Sequence, residues 1–139
     1  MAPAVQIHYM DIEPLSLHAQ MLETWFKRIC IEESFILSRI TLHFCSDEEL
    51  LRMNNEHLQH DFYTDIITFD YSKHPIIKGE LYISVDRVKE NAEQLQITSV
   101  QELHRMMAHG LLHLMGYGDK SKEESAVMRE KEDWALSLR

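Results

Sequence analysis

Two histidines, His109 and His113, stand four residues apart in a stretch whose apolar residues recur with helical spacing. An α-helix has about 3.6 residues per turn, so these side chains lie one turn apart on one face and are able to share a metal ion. Gly116 follows one turn later and favours the left-handed backbone that ends helices. Asp119 comes just after this predicted turn. Two imidazoles and one carboxylate leave a position open on a divalent ion, which is typical of catalytic sites.

The residue after His109 restricts the chemistry of such a site. In the metallopeptidase pattern His-Glu-x-x-His, a glutamate follows the first histidine and serves as the general base. Gly110 occupies that position here, so a peptidase would lack its base although the metal ligands are present. His104 lies about 140° around the helix from His109, so we do not expect it to share the metal. We expect His104 to lie on the surface or to support the site from outside.

Alternating and helical apolar patterns divide the chain into nine elements. Strands are predicted at 5–9, 40–45, 66–71 and 80–84, and helices at 14–33, 46–57, 85–95, 99–114 and 121–138. The third and fourth strands are expected to form a hairpin. The order is β-α-β-α-β-β-α-α-α, without a repeat or a linker. It predicts one α+β domain over residues 1–139, with a four-stranded mixed sheet, about five helices and a central, buried metal-binding helix.

Serine and glutamate three residues apart predict capping boxes at three helix starts. These are Ser46 with Glu49, Ser99 with Glu102, and Ser121 with Glu124. Thr98 is an alternative cap for the helix that carries the two histidines. Pro14 is expected in the first turn of the first helix, where its missing N–H does no harm.

Composition narrows the class of protein further. Cys30 and Cys45 form no C-x-x-C pair, and neither a signal peptide nor a bilayer-spanning apolar run is found, so we expect a cytoplasmic protein without a membrane partner. The net charge of −9 argues against a protein that holds nucleic acid by bulk positive charge. A local basic patch is compatible with that charge. The residues that could line it are Arg87, Lys89, Arg105, Lys120 and Lys122.

The run His-Gly-x-Leu-His-Leu-x-Gly-Tyr, from His109 to Tyr117, resembles the signature of the YbeY family. These are bacterial metal-dependent endoribonucleases and rRNA maturation factors. Further positions that match the family pattern are Asn54, Thr64, Asp65, Phe69, Gly79, Glu80, Met128 and Glu132. The resemblance covers residues 54–132, and the order of elements before that is compatible with it.

The resemblance implies a single-strand-specific endoribonuclease that acts in rRNA maturation, at the 3′ end of 16S rRNA, and in ribosome quality control. It implies rRNA and the small ribosomal subunit as partners, and no DNA. His109 and His113 are then catalytic residues as well as metal ligands, and Asp119 is the third ligand of one divalent ion, zinc in the first place. The candidates for RNA binding beside the metal are Arg105, Lys120 and Lys122.

Two positions depart from the family pattern. Asp119 stands where the family usually has a histidine, and a carboxylate is a harder donor, which leaves other transition metals open. Leu58 stands where the family commonly has an arginine that is thought to help catalysis, so either another cation serves the phosphate or activity is weak. The candidates for a general base that reaches the cleft are His60, Asp61 and Asp65. Alternatively, these are solvated loop residues, or, for Asp65, a residue that braces the start of the strand.

Two other functions are compatible with these residues. A non-catalytic ribosome-assembly or RNA-binding factor with a structural metal would suit the acidic charge, Leu58 and the missing glutamate. A metallopeptidase-like hydrolase is disfavoured by Gly110. Chelator-sensitive cleavage of RNA would separate the nuclease from the assembly factor.

Overall fold

The part of the chain that the structure describes forms nine elements in the predicted order. The computed structural model describes residues 3–58 and 64–139, and of residues 57 and 58 only the backbone. The strands are β1 (Val5–Tyr9), β2 (Ile36–Cys45), β3 (Ile66–Asp70) and β4 (Ile76–Ser84). The helices are α1 (Ala19–Glu32), α2 (Asp47–Leu58), α3 (Val85–Leu95), α4 (Ser99–Leu114) and α5 (Lys122–Ser137).

The four strands form one mixed sheet in the order β1-β2-β4-β3. β1 and β4 both pair with β2 in parallel, while β3 pairs with β4 in antiparallel fashion, which confirms the predicted hairpin. β2 begins at Ile36, four residues before the predicted start. A register shift between Leu37 and Arg39 interrupts the side-chain alternation there, and this explains why the pattern hid the first part of the strand.

Helix α4 packs against one face of the sheet, in the centre of the fold. Ile40, Leu42 and Phe44 of β2 point to this face and are fully buried, as are Met107 and Leu111 of α4. Full burial of an apolar side chain of this size stabilises the fold by about 1.5–3 kcal/mol. The predicted α+β class and the central position of the metal-binding helix are confirmed.

Helix α2 covers part of the opposite face of the sheet. Cys45 and Ile67 point to that face and form a second buried cluster with Leu50 and Met53. Cys45 and Cys30 are both free thiols, and burial raises the pKa of each to about 12. Within the described part of the chain, no helix is long and apolar enough to cross a membrane.

The predicted start of the first helix is wrong. Helix α1 begins at Ala19 rather than in the turn that contains Pro14. Leu15 lies in the irregular segment before the helix, where its carbonyl oxygen accepts a hydrogen bond from the Tyr9 hydroxyl at 3.0 Å. Leu15 still packs against the core. A half-buried leucine outside the helix therefore produced helical spacing in the sequence.

One predicted capping box is displaced by a residue. The cap of α4 is Thr98, whose box with Gln101 is complete, rather than Ser99 with Glu102. Glu102 is buried instead, and its Oε2 accepts a hydrogen bond from Asn91 at 3.3 Å. The glutamate is thus held by α3 and is not available to cap its own helix.

The other two boxes occur at the predicted places, one of them in part. Ser121 and Glu124 form a complete box at the start of α5. At the start of α2, the Ser46 hydroxyl accepts from the Glu49 backbone N–H at 3.2 Å. The Ser46 backbone N–H donates to Asp11 at 2.8 Å, so a carboxylate distant in the sequence replaces the second half of the box.

His104 is buried, so the surface position, one of the two that the sequence left open, is wrong. Its ring lies against Trp25, with ring centroids 5.3 Å apart. The Arg139 guanidinium donates to Nδ1 at 2.8 Å, so this nitrogen is an acceptor and the imidazole is neutral. Burial, together with the charge of Arg139, lowers the pKa of His104 below its ordinary value of 6.5.

We expect the free energy of unfolding to decrease as the pH is lowered, because of His104. The pKa of the folded state lies below that of the unfolded chain, so this contribution is complete above about pH 6.5 and is lost as the pH falls below it. His104→Gln keeps an acceptor for Arg139 and removes the titration. Its free energy of unfolding should therefore decrease less than that of the wild type on acidification, measured by urea denaturation with a chelator present. His18→Gln makes the same substitution at an exposed histidine and serves as the matched control. Equal slopes for His104→Gln and the wild type would contradict this account.

Candidate metal centre

The C-terminal part of α4 holds His109 and His113 side by side. Their Nε2 atoms lie 3.0 Å apart. Asp119 Oδ2 lies 3.3 Å from Nε2 of His109 and 3.4 Å from Nε2 of His113. Over residues 3–58 and 64–139, this is the one group of three side chains whose ligating atoms lie close enough together to hold a metal ion. The structure thus brings together the three residues that the sequence predicted as ligands.

The turn after α4 carries Asp119 back towards the histidines. Gly116 has a φ of +108°, a conformation that side chains with a Cβ rarely adopt. Its N–H donates to the His113 carbonyl oxygen at 3.0 Å, and the Tyr117 N–H donates to the Leu112 carbonyl oxygen at 3.1 Å. These bonds end the helix and reverse the chain within a few residues, as the position of the glycine predicted.

The Nδ1 atoms of the two histidines have acceptor partners. His109 Nδ1 lies 2.7 Å from Glu132 Oε2, and His113 Nδ1 lies 2.8 Å from the Tyr117 carbonyl oxygen. A carbonyl or carboxylate oxygen accepts a hydrogen, so each ring carries its proton on Nδ1. In this tautomer each imidazole directs Nε2 towards the site. Partners of this kind fix the tautomer and the ring orientation of metal-bound histidines.

The donor set fits a divalent metal ion. The two Nε2 lone pairs and the Asp119 oxygen converge at 3.0–3.4 Å from one another. Three such acceptors repel one another unless a cation lies between them. Nitrogen from two histidines and one carboxylate oxygen is a set that zinc accepts, with further coordination positions left open.

Charges around His109 support a cationic group at this site. Burial alone would lower the pKa of His109, but Glu132 and Asp119 outweigh it and raise the pKa. Burial alone would raise the pKa of Glu132, but His109 and Arg105 outweigh it, and the net effect lowers the pKa. The carboxylates therefore favour positive charge where the two histidines meet.

Glu132 is a site residue whose role the sequence did not reveal. Glu132 matches a position of the family pattern, but the sequence does not show its hydrogen bond to His109, which joins α4 to α5 across 23 residues. The sequence does contain an indication of this role. Met128, Glu132 and Ala135 are buried at helical spacing on α5, and a glutamate within an apolar stripe needs a buried partner.

The predicted RNA-binding cations lie in different environments. Arg105 lies beside the site, but its guanidinium donates to Glu132 at 3.0 Å and to Asp133 at 2.6 Å. Arg87 donates to Asp47 at 3.0 Å, away from the cluster. The other three predicted cations are exposed lysines, Lys89, Lys120 and Lys122.

Two cavities flank His109. The α3-side cavity has a volume of about 270 Å³ and is lined by Asp65, Ile66, Asn91, Leu95, Glu102, Arg105, Met106, His109, Arg129 and Glu132. The α5-side cavity has a volume of about 300 Å³ and is lined by His109, Asp119, Ser125, Met128, Arg129 and Glu132. His109, Arg129 and Glu132 belong to both, so the open space continues past the metal-binding cluster on two sides.

Gly110 points away from the cluster and into the core. A Cβ at this position would lie 2.8 Å from a methyl group of Leu81 and 3.1 Å from one of Ile66. The position after His109 therefore faces the sheet. A glutamate there would collide with Leu81 and Ile66, so the packing leaves no room for a base at this position.

The base candidates and Leu58 lie around the gap in the described chain. Asp65 lines the α3-side cavity and accepts from Asn91 at 3.1 Å, while its backbone oxygen accepts from Ser84 at 3.1 Å. It thus braces the start of β3, as the alternative interpretation expected. His60, Asp61 and the side chain of Leu58 lie outside the described residues.

Loss of the Glu132 charge should weaken metal binding. Glu132→Gln keeps an oxygen near His109 but removes the anion that strengthens this ligand, so we expect metal affinity to fall about 10- to 100-fold. Competition with a chromogenic chelator measures the change. Asp133→Asn removes the same charge one residue further along α5, where the carboxylate contacts Arg105. That control should keep the wild-type affinity, and equal affinities for all three proteins would contradict the role of Glu132.

The fold and the site define a class of protein: a small α+β protein whose central helix carries an accessible His-His-Asp centre. A family model described as endoribonuclease YbeY matches residues 7–138. The chain therefore belongs to the YbeY family.

Individual relatives agree with this membership. Proteins named endoribonuclease YbeY include one from Cytophaga hutchinsonii, which is 51% identical over 85% of this chain and 83% of its own length. Another, from Azobacteroides pseudotrichonymphae, is 44% identical over 96% of both chains. The solution structure of TM1509 from Thermotoga maritima is similar with a TM-score of 0.63 at 25% identity, over 96% of this chain and 87% of that one.

Proposed function

We propose that this protein is a metal-dependent endoribonuclease that cleaves single-stranded RNA. We assign it to rRNA maturation at the 3′ end of 16S rRNA and to ribosome quality control, with the small ribosomal subunit as its partner in the cytoplasm. Membership in the YbeY family and the names of relatives at 44–51% identity support cleavage of RNA.

One observation carries the metal dependence. Nε2 of His109, Nε2 of His113 and Oδ2 of Asp119 converge on one another, and His109 lines both cavities while Asp119 lines the α5-side one. A divalent ion held by these three atoms would polarise a phosphoryl oxygen and acidify a water molecule at neutral pH. The histidines are the catalytic residues in this proposal because they hold that ion beside the open space.

The chain itself orients the ligands. Glu132 accepts the Nδ1 proton of His109, and the Tyr117 carbonyl oxygen accepts that of His113, so neither ring is free to rotate or to change tautomer. We propose zinc as the ion because two imidazole nitrogens and one carboxylate oxygen suit it.

The donor count favours a catalytic over a structural metal. Structural zinc sites are closed by four protein ligands, whereas catalytic sites hold three and leave the fourth position open. Among the described residues, the cluster offers three. An assembly factor with a structural metal is therefore the weaker candidate, and the buried position of Gly110 argues against a peptidase.

Cleavage of defined RNA substrates tests the proposal. Chelator-treated protein reloaded with one equivalent of Zn²⁺ is incubated with a single-stranded RNA and with the same strand in a duplex. We expect cleavage of the single strand, weak or no cleavage of the duplex, and loss of cleavage when the chelator is added again. Binding to the small ribosomal subunit without any cleavage would favour the assembly factor instead.

A further inference from the structure

Arg129 is a cation at the boundary of the two cavities. Ser125, Met128, Arg129 and Glu132 recur at the i, i+3, i+4 and i+7 positions of α5, so they share one face of the helix. All four line the α5-side cavity, together with His109 and Asp119. Arg129 also lines the α3-side cavity, so its side chain is next to both open spaces.

Asp119 and Glu132, the two carboxylates that line the α5-side cavity with Arg129, already have partners. One oxygen of Glu132 is bonded to His109 and the other to Arg105, which also binds Asp133. Asp119 faces the two histidines. Within the described part of the chain, Arg129 has neither an ion pair nor a side-chain hydrogen bond, and its side chain is exposed.

The charge of Arg129 lies beside the metal centre, where it can attract a polyanion. The chain carries a net charge of −9, so an RNA strand is repelled by most of the molecule. Arg105, the other arginine that lines the α3-side cavity, is already paired with two carboxylates. A guanidinium binds two phosphate oxygens at once, and an exposed one does so without first breaking an ion pair.

We propose that Arg129 is a positioning residue that binds a phosphodiester of the RNA strand between the two cavities, beside the metal centre. This inference rests on the proposed endoribonuclease function and names the group that holds its substrate. Arg129 acts on the strand rather than on the metal ligands. Its loss should therefore raise KM and weaken RNA binding while leaving metal content unchanged.

Binding of RNA to chelator-treated protein tests this contact apart from cleavage. Fluorescence anisotropy gives the Kd for a single-stranded RNA at several salt concentrations, for the wild type, Arg129→Gln, Arg129→Lys and Arg39→Gln. Arg39 is an exposed arginine on β2 that lines a different cavity, with Tyr71 and Lys78, so its variant removes the same charge elsewhere.

We expect Arg129→Gln to weaken binding about tenfold, as for a lost hydrogen bond to a charged group. The slope of log affinity against log salt should become shallower by about 0.7, the contribution of one phosphate of a single strand. Arg129→Lys should keep the slope and lose part of the affinity, because lysine keeps the charge without the two-pronged contact. Arg39→Gln should match the wild type.

The outcomes separate this inference from the function on which it rests. If the wild type binds and cleaves RNA but Arg129→Gln equals Arg39→Gln in Kd and salt slope, the role of Arg129 is wrong and the function stands. A wild type that neither binds nor cleaves RNA overturns both. A fall in kcat alone, with Kd unchanged, would also contradict a positioning role. Equal thermal unfolding of the variants excludes a folding defect as the cause.

Discussion

The His109→Ala, His113→Ala double variant is expected to lose both its metal ion and its activity on RNA. Both Nε2 ligands are removed, and one carboxylate at 41% side-chain exposure cannot hold an ion in competition with water. Metal ions contribute several kcal/mol of charge stabilisation to such reactions, so cleavage should fall at least about a thousandfold. Elemental analysis of purified protein gives the metal content, and a labelled single-stranded RNA reports cleavage.

A matched control keeps the number of lost histidines equal. His8→Ala with His18→Ala removes two exposed histidines outside the cluster and should retain one ion per chain and wild-type cleavage. Metal at wild-type occupancy in the His109 and His113 variant would show that the ligands lie elsewhere. Cleavage that survives in a metal-free variant would indicate a contaminating nuclease or a metal-independent reaction.

The second large effect is expected for Gly110→Glu, which creates the metallopeptidase pattern His-Glu-x-x-His at residues 109–113. The new side chain would enter the core at Leu81 and Ile66, where even a Cβ lies within 2.8–3.1 Å of methyl groups. A carboxylate buried there without a partner should cost at least about 4 kcal/mol. We expect a fall in Tm of more than about 10 °C, or no folded protein at all, measured by circular dichroism.

Gly110→Ala is the companion variant that isolates the charge. Its methyl group meets the mobile ends of Leu81 and Ile66, at a cost of about 1–3 kcal/mol, while alanine gains about 1 kcal/mol of helix propensity. The alanine variant should therefore fold and keep its metal. A stable Gly110→Glu protein with peptidase activity would overturn the assignment of this position to the core.

Local patterns in the sequence were sufficient to predict much of the site. Residues four apart on a helix share a face whatever the fold, so His109 and His113 could be paired in advance, and the glycine turn supplied Asp119. The hairpin and the central helix follow from periodicity in the same way. These features depend on neighbours within a few residues.

Contacts between distant segments could not be predicted in this way. The bond from Glu132 to His109 and the pairing of Arg105 with two carboxylates depend on how α5 packs against α4. Likewise, Leu15 imitated a helical position because burial alone, without a helix, placed it against the core. The burial of His104 arose from Trp25 on another helix.

The most direct measurement of the central claim is a titration of chelator-treated wild-type protein with Zn²⁺, in which bound metal and RNA cleavage are followed in the same samples. If His109, His113 and Asp119 hold the ion that the reaction needs, cleavage should rise in proportion to bound metal. Both should level off at one ion per chain. Full cleavage before any metal is added, or metal bound at one ion per chain without cleavage, would contradict a metal-dependent endoribonuclease at this site.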